Sequence, residues 1–114
     1  MKRTILVFLL ATSLSELSWA QADGKTLHDA WQAYKNPSPE AALQIGIYLG
    51  YLSGSVDQLY ANPVVSKKIA FPDGLFAEQV ANVVGSYLDA HPEEWNQPAA
   101  VLVVKALMKA WPRR

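Results

Sequence analysis

Seven prolines limit how this chain folds more than any other feature, because each ends, starts or kinks a helix and none can sit inside a central strand. Between them the apolar residues recur at the helical period. Leu27, Ala30, Trp31 and Tyr34 stand at i, i+3, i+4 and i+7, which predicts a first helix with Thr26 as its N-cap, broken at Lys35-Asn36-Pro37. Ser38-Pro39-Glu40 restarts the helix with a Ser cap, a Pro at the first helical position and an acid in the positive first turn. This second helix is expected to run to about Tyr60. It is apolar nearly all round from Ala41 to Leu52, which predicts the buried central helix of a small bundle.

Asn62-Pro63 closes the second helix, and Val64 to Gly74 reads as a loop with one extended stretch at Val64-Val65. Val80, Val83, Val84, Tyr87 and Leu88 predict a third helix from about Phe76 to Ala90, stopped by Pro92, with a single turn at Glu93-Glu94-Trp95. Asn96 or Gln97 then caps a fourth helix that runs from near Pro98 to about Trp111, where Pro112 ends it. Four helices, short connections and no strand pattern predict an all-α domain resembling a small four-helix bundle.

The first 22 residues read as a leader. Met1-Lys2-Arg3 is basic, Ile5 to Ala11 is mostly apolar, and Ala20-Gln21-Ala22 is an A-x-A cleavage site, the order of a secretory signal peptide. A membrane span needs roughly 20 consecutive apolar residues, and Thr12, Ser13, Ser15, Glu16 and Ser18 interrupt this run. Cleavage is therefore expected, leaving residues 23–114 as one domain with no membrane attachment, in a bacterial periplasm or the medium. Without Lys2, Arg3 and Glu16, the ten basic and ten acidic residues of the chain become eight and nine. No global charge draws such a domain to nucleic acid. A hydrophobic share of 51% excludes a disordered tail, and zero cysteines exclude zinc fingers, redox motifs, cysteine nucleophiles and disulfide scaffolds.

Few residues carry chemistry. Gly46, Gly50 and Gly54 lie on one face of the second helix, each costing about 1 kcal/mol relative to alanine, so that face, with Tyr51 and Asp57, is expected where another backbone approaches closely, from helix three or four or from a second copy. Asp57 there is either solvated or engaged with a neighbouring helix end or an arginine. His28 and His91 have no metal-ligand neighbours at a recognised spacing, and His91 is read as a helix-end cap. Glu93 and Glu94 adjoin and are expected to point different ways; Ser38 is a cap, and Ser53, Ser55, Ser66 and Ser86 have no nucleophile-elbow setting. No enzyme, metal or cofactor signature remains. Lys105, Lys109, Arg113 and Arg114 make the C-terminus basic, which complements the helix dipole or meets an acidic partner.

Several blocks in order resemble the Rap/Tai-type immunity proteins: Gly50-Tyr51-Leu52-Ser53-Gly54-Ser55-Val56-Asp57, Phe71-Pro72-Asp73-Gly74 with Gln79, Tyr87-Leu88-Asp89-Ala90-His91-Pro92-Glu93, Pro98-Ala99-Ala100, and Ala106-Leu107 with Ala110-Trp111-Pro112. The resemblance implies a small, all-helical periplasmic domain, often a homodimer, that occludes a cell-wall-degrading effector delivered by type VI secretion, commonly a peptidoglycan amidase. It requires no catalytic group. The family pattern usually carries four cysteines, which align here with Trp31, Tyr48, Ala70 and Arg113. The resemblance therefore implies that Trp31 meets Tyr48 and Ala70 lies near Arg113, with packing in place of covalent links. The 61–74 loop, with Ser66, Lys67, Lys68 and Asp73, is the expected effector contact; the alternative is a plain solvated connection. A second reading of the whole chain is a periplasmic structural or chaperone-like stress protein of the same fold.

Overall fold

The computed structural model describes residues 22–114, so the leader lies outside the described residues except for Ala22. Four helices follow one another: α1 Gly24–Lys35, α2 Ala42–Ala61, α3 Ala77–Ala90 and α4 Ala99–Ala110. Single 3-10 turns at Pro39–Ala41 and Pro92–Glu94 lead into α2 and out of α3. Among the described residues there is no strand, and two isolated bridges join Asp23 to Pro98 and Ile69 to Pro112. The domain is all-α, with α1 packed on α2 and α3, and α3 packed on α2 and α4.

The starts of the helices differ in detail from their sequence reading. Asp23, not Thr26, caps α1: its carboxylate accepts the Thr26 N–H at 2.9 Å and the Thr26 hydroxyl at 2.9 Å. These bonds from Thr26, backbone first, hold the Asp23 carboxyl below its ordinary range. Ser38 accepts the Ala41 N–H at 3.2 Å, as its position before Pro39 suggests. Neither Asn96 nor Gln97 caps α4; the Ala99 N–H instead donates to the Ala22 carbonyl at 2.9 Å. The stretch at Val64-Val65 is not extended but part of a run of turns, started by Asn62, whose side chain accepts from the Val64 and Val65 N–H groups.

Burial overturns the expectation for α2. It buries only Tyr48 and Leu52 of its twenty residues, whereas α3 buries five of fourteen and α4 five of twelve. Tyr48 and Leu52, one turn apart, point inward with Leu49, Val56 and Leu59 beside them, while Leu43 on the far side is 77% exposed. The reason is geometric. A cylinder apolar all round offers no unique inward face, and three neighbouring helices cover only one side of it.

The close approaches occur at other glycines. A Cβ on Gly85 of α3 would fall 2.1 Å from the Trp31 ring, and one on Gly24 would fall 2.4 Å from Leu102 and 2.8 Å from the Trp95 backbone. At Gly46, Gly50 and Gly54 a Cβ would meet nothing within 4 Å, so among the described residues that stripe is not a packing seam. Trp31 lies against the slot at Gly85, and its indole N–H donates to Asp89 at 3.0 Å, one helical turn further along the same face.

Candidate functional site

Two surfaces stand out, one at the loop end of the domain and one along the outer side of α2. The loop end is fixed by an anchor whose buried residue, Ile69, the sequence reading did not single out. Ile69 is fully buried, the Ala70 N–H donates to the Trp111 carbonyl at 2.8 Å, and the Arg113 N–H donates to the Lys68 carbonyl at 3.2 Å. These bonds clamp the loop to the C-terminal tail and set the segments carrying Ala70 and Arg113 side by side. An aromatic ladder supports the clamp, with ring centres 5.6 Å apart from Tyr60 to Phe71 and 6.4 Å from Phe71 to Trp111. Asp73-Gly74 makes the turn back toward α3, and Gly74 takes the left-handed conformation (φ 67°) that favours glycine.

A groove of about 510 Å³ opens here between Tyr60, Ser66, Lys67, Phe71, Asp73 and Arg113. Ser66, Lys67 and Asp73, expected from sequence as contact residues, are thus brought together, and Tyr60, Phe71 and Arg113 join them. Lys68 does not line the groove and is exposed beside it. The side chains of Lys67 and Asp73 form no ion pair or hydrogen bond among the described residues, so their charges are available to a partner. Asp57 is exposed and, among the described residues, meets no arginine or helix end; it lines an adjoining groove with Tyr60 and Phe71.

The second surface is a shallow, largely apolar groove of about 580 Å³ between α2 and α4, where Gly50, Tyr51 and Gly54 face Ala100, Val103 and Val104. Gly46 and Asp57, grouped with these residues in the sequence reading, do not line it. Burial pushes the Tyr51 hydroxyl pKa up.

Titratable groups cluster at the junction of α1, α3 and the 3-10 turn. Asp89 accepts from Trp31 Nε1 at 3.0 Å and lies 3.0 Å from His28 Nε2 and 3.5 Å from Lys35 Nζ. The same His28 Nε2 lies 3.0 Å from Gln32 Nε2, and the His28 ring stacks on Trp95 at 3.9 Å. Burial pushes the Asp89 carboxyl up, but the bonds from Trp31 and His28 and the charge of Lys35 outweigh it and leave it below the usual range. His91 ends α3, with its ring stacked on Tyr87 at 4.0 Å and Nδ1 2.8 Å from the Tyr87 carbonyl. Tyr87 donates to Glu94 at 2.9 Å, and burial together with that carboxylate pushes its hydroxyl up to about 12.

The 3-10 turn corrects one expectation. It brings ligand atoms of His91, Glu93 and Glu94 within 4.8 Å of one another, although the two glutamates are neighbours in sequence. Glu94 is already engaged, since it accepts from Tyr87 and from Lys105 at 2.8 Å, and a metal ion would have to displace that ammonium. The cluster is structural in kind: it ties the end of α3 to α4. Nothing in it pairs a nucleophile with a base.

The ordered blocks of the sequence now have physical content. Tyr87, His91 and Glu94 join the end of α3 to the following turn, and Phe71 to Gly74 shape the loop end; a family model described as Rap1a immunity proteins matches residues 23–112. The chain belongs to the Rap1a immunity protein family. Neither a curated protein nor a solved structure matches it. Membership in the Rap1a family implies an immunity protein that binds a toxic secreted effector, in a family that is generally non-enzymatic. At the Trp31 and Tyr48 positions the rings stand 6.3 Å apart, with Tyr34 within 6 Å of both, so packing joins α1 to α2 there.

Proposed function

We propose that this Rap1a-family chain is exported by a cleaved N-terminal leader and acts in the periplasm, where it blocks a peptidoglycan amidase delivered by type VI secretion. The family match over residues 23–112 carries the proposal. Inhibition is stoichiometric occlusion: the loop end carries the unpaired charges of Lys67 and Asp73 beside the exposed Tyr60 ring, the half-buried Phe71 ring and Arg113, on a backbone braced by Ile69 and the C-terminal clamp. Polar groups positioned on a braced loop bind with less ordering cost than a free loop would. The protein acts as a homodimer. The outer side of α2, with Leu43 exposed and a glycine-lined apolar groove, supports this, because a second copy would cover apolar surface that the protomer leaves in water.

Periplasmic co-expression with an amidase effector tests the reading. Wild type is expected to prevent lysis and co-purify with the toxin, and Lys67→Glu with Arg113→Glu to lose both while remaining folded. No rescue and no complex with any amidase effector would sink the proposal. Sedimentation of Gly50→Trp, which fills the α2 groove, is expected to show a monomer where wild type is a dimer.

A further inference from the structure

The start of α1 is stitched to the start of α4. Ala22 accepts from the Ala99 N–H at 2.9 Å, Asp23 and Pro98 form an antiparallel bridge, Gly24 N–H donates to the Gln97 carbonyl at 2.9 Å, and Lys25 N–H donates to the Trp95 carbonyl at 3.0 Å. Ala99 is 1% exposed, and its N–H is one of the helix-start donors that have no partner within their own helix. No side chain caps α4, so the Ala22 carbonyl is the acceptor that satisfies this buried group. The Ala22 side chain also packs against the edge of the core.

Cleavage at the A-x-A motif, after Ala22, would remove that acceptor. It would also create an ammonium on Asp23, between the positive N-terminal ends of α1 and α4. A second site avoids both penalties. Ser18-Trp19-Ala20 has small residues at the same two positions relative to a cut two residues earlier. We infer that the leader is cut between Ala20 and Gln21, so that the mature protein begins at Gln21 and keeps Ala22 as a structural residue. Water adds across the Ala20–Gln21 amide, leaving a carboxylate on Ala20 and an amine on Gln21. That amine can then attack its own side-chain amide and expel ammonia, which gives a cyclic, uncharged N-terminus.

The inference rests on the export proposed above, and the test separates the two. The full precursor is expressed in a Gram-negative host, the periplasmic fraction is recovered, and its N-terminus is determined by sequencing and intact mass. A chain starting at Gln21, or at Gln21 less one ammonia, is expected. A start at Asp23 overturns the inference with export intact, whereas a chain that stays in the cytoplasm and keeps Met1 overturns export and the inference together. Two precursor variants give a readout independent of folding. Ala22→Leu destroys the A-x-A site and is expected to leave the cut unchanged; Ser18→Leu destroys the earlier site and is expected to slow processing or move it to Asp23. The reverse pattern overturns the inference.

Discussion

Helices α2 and α3 make an instructive pair, because the more apolar of the two is the less buried. α2 is apolar almost all round, yet only Tyr48 and Leu52 are shielded from water; α3 carries charges and amides, yet places Val80, Ala81, Val84, Gly85 and Leu88 in the core. Periodicity, not total hydrophobicity, decides which face a small domain can cover. Their glycines differ in the same sense. Gly85 is required by the indole pressed against it, whereas Gly46, Gly50 and Gly54 face open space and weaken their helix with no return among the described residues. A cost without an internal return points to a use outside the protomer, which is where the proposed second copy enters.

The contrast can be broken at several points. Gly85→Ala should have the largest effect, because the new Cβ and the Trp31 ring cannot share one place; a loss of about 3 kcal/mol is expected in urea denaturation, at the upper end of overpacking costs. A loss below about 0.5 kcal/mol would show that Trp31 yields freely and that the slot is not a constraint. Next comes Tyr48→Phe, which removes the buried hydroxyl donating to the Ala81 carbonyl at 2.9 Å where α2 and α3 meet. That should cost about 1 kcal/mol, since the carbonyl keeps a helical partner. Burial pushes the Tyr48 pKa upward, so the hydroxyl stays neutral and this cost should not vary across ordinary pH.

Gly50→Ala should change stability in the opposite direction. With nothing within 4 Å of the new methyl group, helix propensity alone acts, and the protomer should gain up to about 1 kcal/mol. The gain should appear at low protein concentration, where association does not contribute. If the same substitution destabilises a dilute protomer, the face is packed after all.

The smallest effect is electrostatic. The Asp89 carboxyl lies below its ordinary value of 3.8 in the folded chain, so the unfolded state binds more protons in acid. Its contribution is complete above pH 3.8 and fades as the pH falls through the folded value. With the side chain 40% exposed, solvent screening keeps this contribution to about 0.5 kcal/mol. Urea midpoints at about pH 6 and about pH 3 should therefore converge slightly between wild type and Asp89→Asn. Divergence would mean that the Trp31, His28 and Lys35 contacts do not favour the charged form.

Much of the fold was legible in the sequence because it rests on local rules. The prolines mark the helix boundaries, the apolar spacing of α1 and α3 identifies their inner faces, and Ser38 announces its own cap. The ordered blocks around Gly50, Phe71 and Tyr87 were enough to place the chain in its family. The candidate site was half legible. Ser66, Lys67 and Asp73 stand near one another in sequence, but Tyr60 and Arg113 reach the same groove from the end of a helix and from the tail, distances along the chain that no local pattern encodes.

Tertiary structure alone decided the rest, for a common physical reason. Which glycine is a contact depends on the partner across from it: Gly85 faces Trp31 from 54 positions away, and the three glycines at helical spacing face none. Which group caps a helix depends on the neighbours brought to its end, so Ala99 is served by a carbonyl from before α1 instead of a nearby side chain. Whether an apolar helix is buried depends on how much of its circumference the other helices can cover. The sequence determined where the helices begin, end and turn their clearest faces, since those follow from neighbours along the chain; contacts, caps and exposure were set by neighbours in space.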